Sequence, residues 1–206
     1  MEEYYICILD FEATCCDNNE FPKNQMEIIE FPSLLYKIVN NNPIFISEFH
    51  KYVKPTIHPI LTQFCTNLTG ITQDMINFKE TINIVYEEHK NWIIENVPKE
   101  KSIIFATCGH WDLKTMLPTE IENKKLNPCG FYCKYINIKD EFEHFYKIKA
   151  FSMKGMMTHL KIPLEGRLHS GIDDTKNMTK ILLKMINVGH TDFKINNIKN
   201  VIYKRL

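Results

Sequence analysis

The stretch Tyr4-Tyr5-Ile6-Cys7-Ile8-Leu9-Asp10-Phe11-Glu12 decides the reading of this chain. An unbroken apolar run ends in two carboxylates that bracket a phenylalanine. A short continuous apolar run is the pattern of a strand covered on both faces. Side chains two apart on a strand share a face. Asp10 and Glu12 are therefore expected to project together, with Phe11 turned into the core. Two carboxylates pushed together repel unless a cation sits between them. Hard oxygen donors at that spacing suit Mg2+ or Mn2+. Acids at a solvated strand end are also common, and this pair alone leaves both readings open.

Working outward, Glu27 to Val39 is a second strand-like run, and Asn40-Asn41-Asn42-Pro43 is a turn. Ile44 to Val53 alternates and suits an outer strand, so the three form an antiparallel meander. Thr81 to Val97 then places Ile82, Val85, Tyr86, His89, Ile93 and Val97 on one helical face, between a capping Thr81 and Pro98. Ser102 to Ala106 reads as a strand, Gly109 to Leu117 as the start of a helix, and Pro118 to Gly130 as an irregular surface loop. Tyr132 to Ile138 reads as the last strand. Ser152 to Leu160 is a short helix. Gly171 to Asn187 is a longer one, striped by Met178, Ile181, Leu182, Met185 and Ile186. Strands first, then strands alternating with helices, predict an α/β chain with a mixed sheet and helices packed on it. One domain is expected over 1–189, followed by a polar, peripheral tail over 190–206.

A chain of 206 residues fits one domain. Hydrophobic residues are 44% and charged residues 24%, which excludes wholesale disorder and a collagen-like repeat. Lys plus Arg is 25 and Asp plus Glu is 25, so bulk charge does not hold nucleic acid here. No apolar run approaches the roughly 18 residues of a membrane helix. The start, Met1-Glu2-Glu3, is acidic where a secretory signal is basic. An intracellular protein, cytoplasmic or nuclear, with no membrane partner is expected. The seven cysteines are odd in number and mostly flanked by apolar residues, as free thiols are. Cys129 and Cys133, with His144 downstream, lack the second pair that a zinc site requires.

Later acids sharpen the picture. Asp174 shares helical phase with Met178, Ile181 and Met185. An aspartate on an apolar face is costly without a partner, and a metal ion is one such partner. Asp173 lies about 100° away and reads as a first-turn or surface acid. His169 precedes this helix on a loop between Gly166 and Gly171. Asp112 follows a strand through Thr107-Cys108-Gly109-His110-Trp111 and, taken alone, reads as a helix N-terminal acid. His50, His58, His89, His144, His159 and His190 are given no role.

Asp-x-Glu after the first strand, a mid-chain Asp and a late His-x4-Asp form the order found in the DEDDh exonuclease superfamily. Five blocks are similar to the eukaryotic three-prime exoribonucleases that trim histone mRNA ends, small interfering RNAs and ribosomal RNA. They are Asp10-Phe11-Glu12-Ala13-Thr14-Cys15, Glu27-Ile28-Ile29-Glu30-Phe31-Pro32, Phe64-Cys65 with Leu68-Thr69-Gly70-Ile71-Thr72, Trp111-Asp112, and His169-Ser170-Gly171-Ile172-Asp173-Asp174-Thr175-Lys176-Asn177. The resemblance implies an RNase H-like exonuclease fold with a five-stranded mixed sheet flanked by helices. It implies two Mg2+, replaceable by Mn2+, held by Asp10, Glu12, Asp112 and Asp174, with His169 as general base. Ala13 with Glu12 would receive the terminal ribose, beside Thr14, and Phe64, Leu68 and Trp111 would line the base pocket. The implied reaction is hydrolysis of single-stranded RNA, or of an RNA three-prime overhang, to nucleoside five-prime monophosphates. A DNA exonuclease and a non-catalytic RNA-binding module are the alternatives. The family resemblance starts at Tyr4, so stem-loop recognition through an upstream domain is not expected.

Overall fold

The computed structural model describes residues 3–198. Its first strand, β1 (Glu3–Leu9), pairs antiparallel with β3 (Ile28–Val39) on one side and parallel with β5 (Ile103–Thr107) on the other. Its side chains alternate between two cores. Tyr5, Cys7 and Leu9 join Phe31, Leu35 and Tyr86 on one face, while Ile6 and Ile8 join Ile136, Phe142 and Met178 on the other. Burial on both faces is why this strand shows no polar alternation.

The remaining strands extend the sheet outward. A two-residue strand, β2 (Glu12–Ala13), also pairs with β3, and β4 (Asn42–Tyr52) covers the other edge of β3 in the expected meander. Beyond β5 come β6 (Lys134–Asn137), parallel to it, and a short antiparallel β7 (Asn196–Asn197). The mixed sheet thus carries β1, β3, β4, β5 and β6 as its longer strands, with β2 and β7 as additions to the five expected.

Helices α1 (Gln63–Thr69), α2 (Gln73–Ile76) and α3 (Ile82–Asn96) follow the meander. α4 (Leu117–Lys124) and α5 (Ile138–Tyr146) flank β6, and α6 (Met153–Leu160) and α7 (Gly171–Asn187) complete the chain. None of the described helices is long and apolar enough to cross a membrane.

Two expectations are corrected. Pro118 to Gly130 is not an irregular loop, because α4 occupies most of it. Pro118 stands in the helix's first turn, where a missing N–H costs nothing. Glu120, Ile121 and Leu117 are buried, and the Ile28 N–H donates to Glu120 Oε1 at 2.6 Å. The strand expected over Tyr132 to Ile138 is the shorter β6, and it is not the last, since β7 follows it in the chain. A 3-10 turn takes Gly130–Cys133, and Asn137 caps α5 by accepting the Lys139 N–H at 3.1 Å.

The segment after Gly189 packs against the domain as far as it is described. His190 is buried and lies 2.8 Å from Glu141, whose other oxygen accepts the Lys194 N–H at 3.0 Å. The rest of that tail, 199–206, and the initial Met1-Glu2 lie outside the described residues.

Candidate active site

β1 and β2 are one strand broken at Asp10-Phe11. Leu9 pairs with Ser33, and pairing resumes at Glu12 opposite Glu30 in the same register; the shift comes one residue later, between Glu12 and Ala13. Asp10 and Glu12 thus keep the two-residue offset of a single strand register, although the ladder is interrupted at Asp10-Phe11. Beyond the end of β1, the Phe11 N–H, on the same side of the strand as that of Tyr5, donates to Asp112 Oδ1 at 2.9 Å. The Phe11 ring is buried as expected, edge-on to Phe31 at 4.6 Å.

Asp112 opens a π-helical turn, Asp112–Met116, that leads into α4. Such turns are rare and recur at functional sites. Its carboxylate is buried and touches the first strand's break, so it is not a solvated helix-start acid.

Asp174 sits on the first turn of α7, also buried. Its Oδ2 accepts the His169 N–H at 2.8 Å. Its Oδ1 is buried with no hydrogen-bond partner among the described residues. Ligand atoms of Glu12, His169 and Asp174 all lie within 4.8 Å of one another.

The electrostatics show one crowded anionic site. Burial, then repulsion from Asp112, Glu12, Asp174 and Glu30, raises Asp10 well above the usual carboxylate range. Burial, followed by Glu30, Asp174 and Asp112, pushes Glu12 up to about 8. Burial lifts Asp112 to about 6 against the pull of the Phe11 N–H. Asp174 is raised too, chiefly by burial. Each acid disfavours ionisation of the others, and each would ionise readily beside a cation. Hard carboxylate oxygens, one of them orphaned, fit a divalent cation of the Mg2+ class.

Glu30 is the member that sequence reasoning missed. It is 1% exposed, and its two oxygens accept the Gly171 and Ile172 N–H groups at 2.9 and 3.2 Å. A carboxylate at a helix N-terminus is favoured by the helix dipole. His50, given no role from sequence, lies 2.7 Å from Glu30 Oε1. Together they seat the end of α7 that carries Asp174. An acid on the apolar run Glu27-Ile28-Ile29-Glu30-Phe31 was the available signal.

The expected substrate-binding residues divide. Phe64 and Trp111 are 38% and 39% exposed, so neither is consumed by core packing. Leu68 shares α1 with Phe64, one helical turn on. Two contacts tie α1 to β2: Thr62 Oγ1 donates to the Cys15 carbonyl at 2.6 Å, and the Cys65 thiol to the Ala13 carbonyl at 3.6 Å. Ala13 is buried at the end of β2. Thr14 is buried, and its hydroxyl accepts the Glu27 N–H at 2.9 Å, so its side chain pins two strands.

The profile of the exonuclease family (RNase_T) matches residues 7–182. Human ERI1 exoribonuclease 3 is 38% identical over 185 residues, 87% of this chain and 52% of that protein. Human 3'-5' exoribonuclease 1 is 35% identical over 196 residues, 93% of this chain and 55% of that protein. The chain thus spans about half the length of these relatives. Among solved structures, the nuclease domain of 3'hExo, a DEDDh family member bound to rAMP, superposes with a TM-score of 0.85. It is 33% identical and is covered over 96% of its length by 94% of this chain. A 3'-exonuclease solved with histone mRNA stem-loop recognition gives a TM-score of 0.86 at 32% identity, over 96% of this chain and 87% of that one. The sequence order of the acids, the cluster of Glu12, His169 and Asp174 with Asp10 and Asp112 close enough to repel it, and these likenesses agree, and the chain belongs to the DEDDh exonuclease family.

Proposed function

We propose that this chain is a divalent-cation-dependent 3'-to-5' exoribonuclease that removes nucleoside 5'-monophosphates from single-stranded RNA ends. The observation that carries the reading is the convergence of Glu12, His169 and Asp174 within 4.8 Å, beside a buried Asp112. The relatives named as exoribonucleases, and the neighbour bound to rAMP, support RNA as the substrate.

Asp10, Glu12, Asp112 and Asp174 would hold two Mg2+, or Mn2+ in their place. Bound there, the ions supply Lewis acidity to water and to the phosphate and cancel charge that would repel RNA. His169 is exposed beside Glu12 and Asp174, within reach of both, and its imidazole there is the general base that takes the proton of the attacking water. The Ala13 segment with Glu12 receives the terminal ribose. Phe64, Leu68 and Trp111 hold the last bases by stacking and apolar contact, which tolerates any base. Thr14 supports that segment through Glu27.

The test uses end-labelled single-stranded RNA and DNA with Mg2+ or Mn2+, with and without chelator, and identifies the products. RNA shortened from its 3' end to 5'-monophosphates, and only without chelator, is the expected result. Cleavage that ignores EDTA would remove the metal assignment, and faster cutting of DNA would replace the substrate. Binding of RNA with no cleavage would favour a non-catalytic module.

A further inference from the structure

His169 stands on loop 161–170, whose residues are mostly exposed. Its own ring is exposed, and its backbone holds φ +60°. A non-glycine residue persists in that left-handed region only when its surroundings fix it. The loop has no core beneath most of its length, so polar ties must do the fixing.

Most of those ties end on α7. Asn177 exchanges two hydrogen bonds with the Glu165 backbone, at 3.2 and 2.8 Å. Asp173 Oδ2 accepts the Arg167 N–H at 2.9 Å, and Asp174 Oδ2 accepts that of His169 at 2.8 Å. Gly166, at φ +71°, makes this possible, since a Cβ there would lie 2.3 Å from the Asp173 carboxylate.

One side chain of the loop reaches the other way. The Arg167 guanidinium donates to the Leu68 carbonyl at 2.8 Å and the Asn67 carbonyl at 2.5 Å. It also spans back to the carbonyls of Leu168 and His169, each at 3.5 Å. It lies over Gly70, the left-handed C-cap of α1, where a Cβ would come within 3.0 Å of Nη1 and 3.1 Å of Cζ. A planar fork can bridge several carbonyls at a helix C-terminus, where positive charge is also favoured. An ammonium on a flexible stem cannot reproduce that span.

We propose that Arg167 is a positioning residue that staples the His169 loop to α1, aligning the general base with the helix that carries Phe64 and Leu68. α1 is itself tied to β2 through Thr62 and Cys65. The contacts thus close a ring from β2 through α1, Arg167 and His169 to Asp174, around the acidic site. Both terminal nitrogens of the guanidinium, Nη1 and Nη2, are engaged with backbone carbonyls of α1. The inference rests on the reading of His169 as the general base.

The test compares Arg167→Ala, Arg167→Lys and Gly70→Ala with the parent chain, using labelled single-stranded RNA and Mn2+. All three are expected to lower kcat at least tenfold, while KM and RNA affinity measured with Ca2+ change less than threefold. Arg167→Ala is expected to cost nothing more in a His169→Ala background. In cation-free protein, the His169 ring resonance should broaden or shift in Arg167→Ala, with the melting temperature nearly kept. A loss of affinity with kcat intact, additive losses in the double variant, or an unchanged His169 resonance would each overturn the staple. If the parent chain cleaves no RNA but the resonance still responds, the exonuclease reading fails and the staple stands.

Discussion

Gly171→Ala probes the seat of the acidic site with one methyl group. Gly171 opens α7 and lies against the broken end of β1. A Cβ there would sit 2.8 Å from the Asp10 carbonyl oxygen, 3.0 Å from Glu30 Oε2 and 3.1 Å from Pro32 Cγ. Ordinary van der Waals contact begins at 3.4 Å, so the helix end must retreat by about 0.6 Å. That retreat lengthens the bonds from the Gly171 and Ile172 N–H groups to Glu30 and carries Asp174 away from Glu12. Overpacking of this kind costs about 1–3 kcal/mol, or roughly 2–12 °C in Tm for a domain of this size. Misplacement by about 1 Å costs roughly a hundredfold in rate, so a loss of at least tenfold in turnover is expected. Gly155→Ala supplies the control. Gly155 lies within α6, its added Cβ meets only Ser152 Oγ at 3.4 Å, and Ala is worth about 0.5–1 kcal/mol more than Gly in a helix. The assay pairs thermal melting with cleavage of labelled RNA. A Gly171→Ala protein with parental Tm and parental turnover would refute the close seating of α7 on the strand break.

Three further outcomes follow from the same geometry. Because folding raises Glu12 to about 8 and Asp112 to about 6, the folded protein binds their protons more tightly than the unfolded chain does. The cation-free protein therefore loses stability as pH rises from the ordinary carboxylate range through about 8, and the Tm increase given by Mn2+ should be larger near pH 8 than near pH 5; equal increases would contradict the crowded anionic site. Trp111→Ala and Phe64→Ala should each weaken RNA binding by about 1–3 kcal/mol with little difference among the four bases, measured by titration with homopolymers; binding unchanged in both would place the bases elsewhere. Lys124→Met leaves Glu27 buried without its ammonium partner, 2.5 Å away in the parent, and should destabilise by roughly 3 kcal/mol in denaturant melts; a neutral effect would mean that the Thr56, Ile57 and His58 N–H groups suffice.

What the sequence made legible is the chemistry that contrasts with its local surroundings. Asp174 on an apolar helical stripe, and Asp10 and Glu12 at the end of an apolar run, stand out because burial without a partner is costly. The central place of β1 was legible for a related reason, since a strand covered on both faces cannot alternate. α4 and α5 were not, because their signals are locally ambiguous. Pro118 ends a helix in most contexts yet is neutral in a first turn, and Asn137 both closes β6 and caps α5. Glu141 interrupts the apolar face of α5, and its partner His190 comes 49 residues later. Glu30 and Arg167 escaped for the same reason at larger scale. Glu30 meets the N–H of Gly171 across 141 residues, and Arg167 meets the carbonyl of Asn67 across 100. Neither contact leaves a periodicity or a spacing for the chain to display. The acids that would hold cations announce themselves through their cost, whereas the groups that aim them are satisfied by distant backbone and look ordinary. The Phe11 N–H joins the two classes: like the amide of Tyr5 it faces the β5 side of the strand, so the segment that supplies Asp10 and Glu12 also supplies the donor that holds Asp112 at the site.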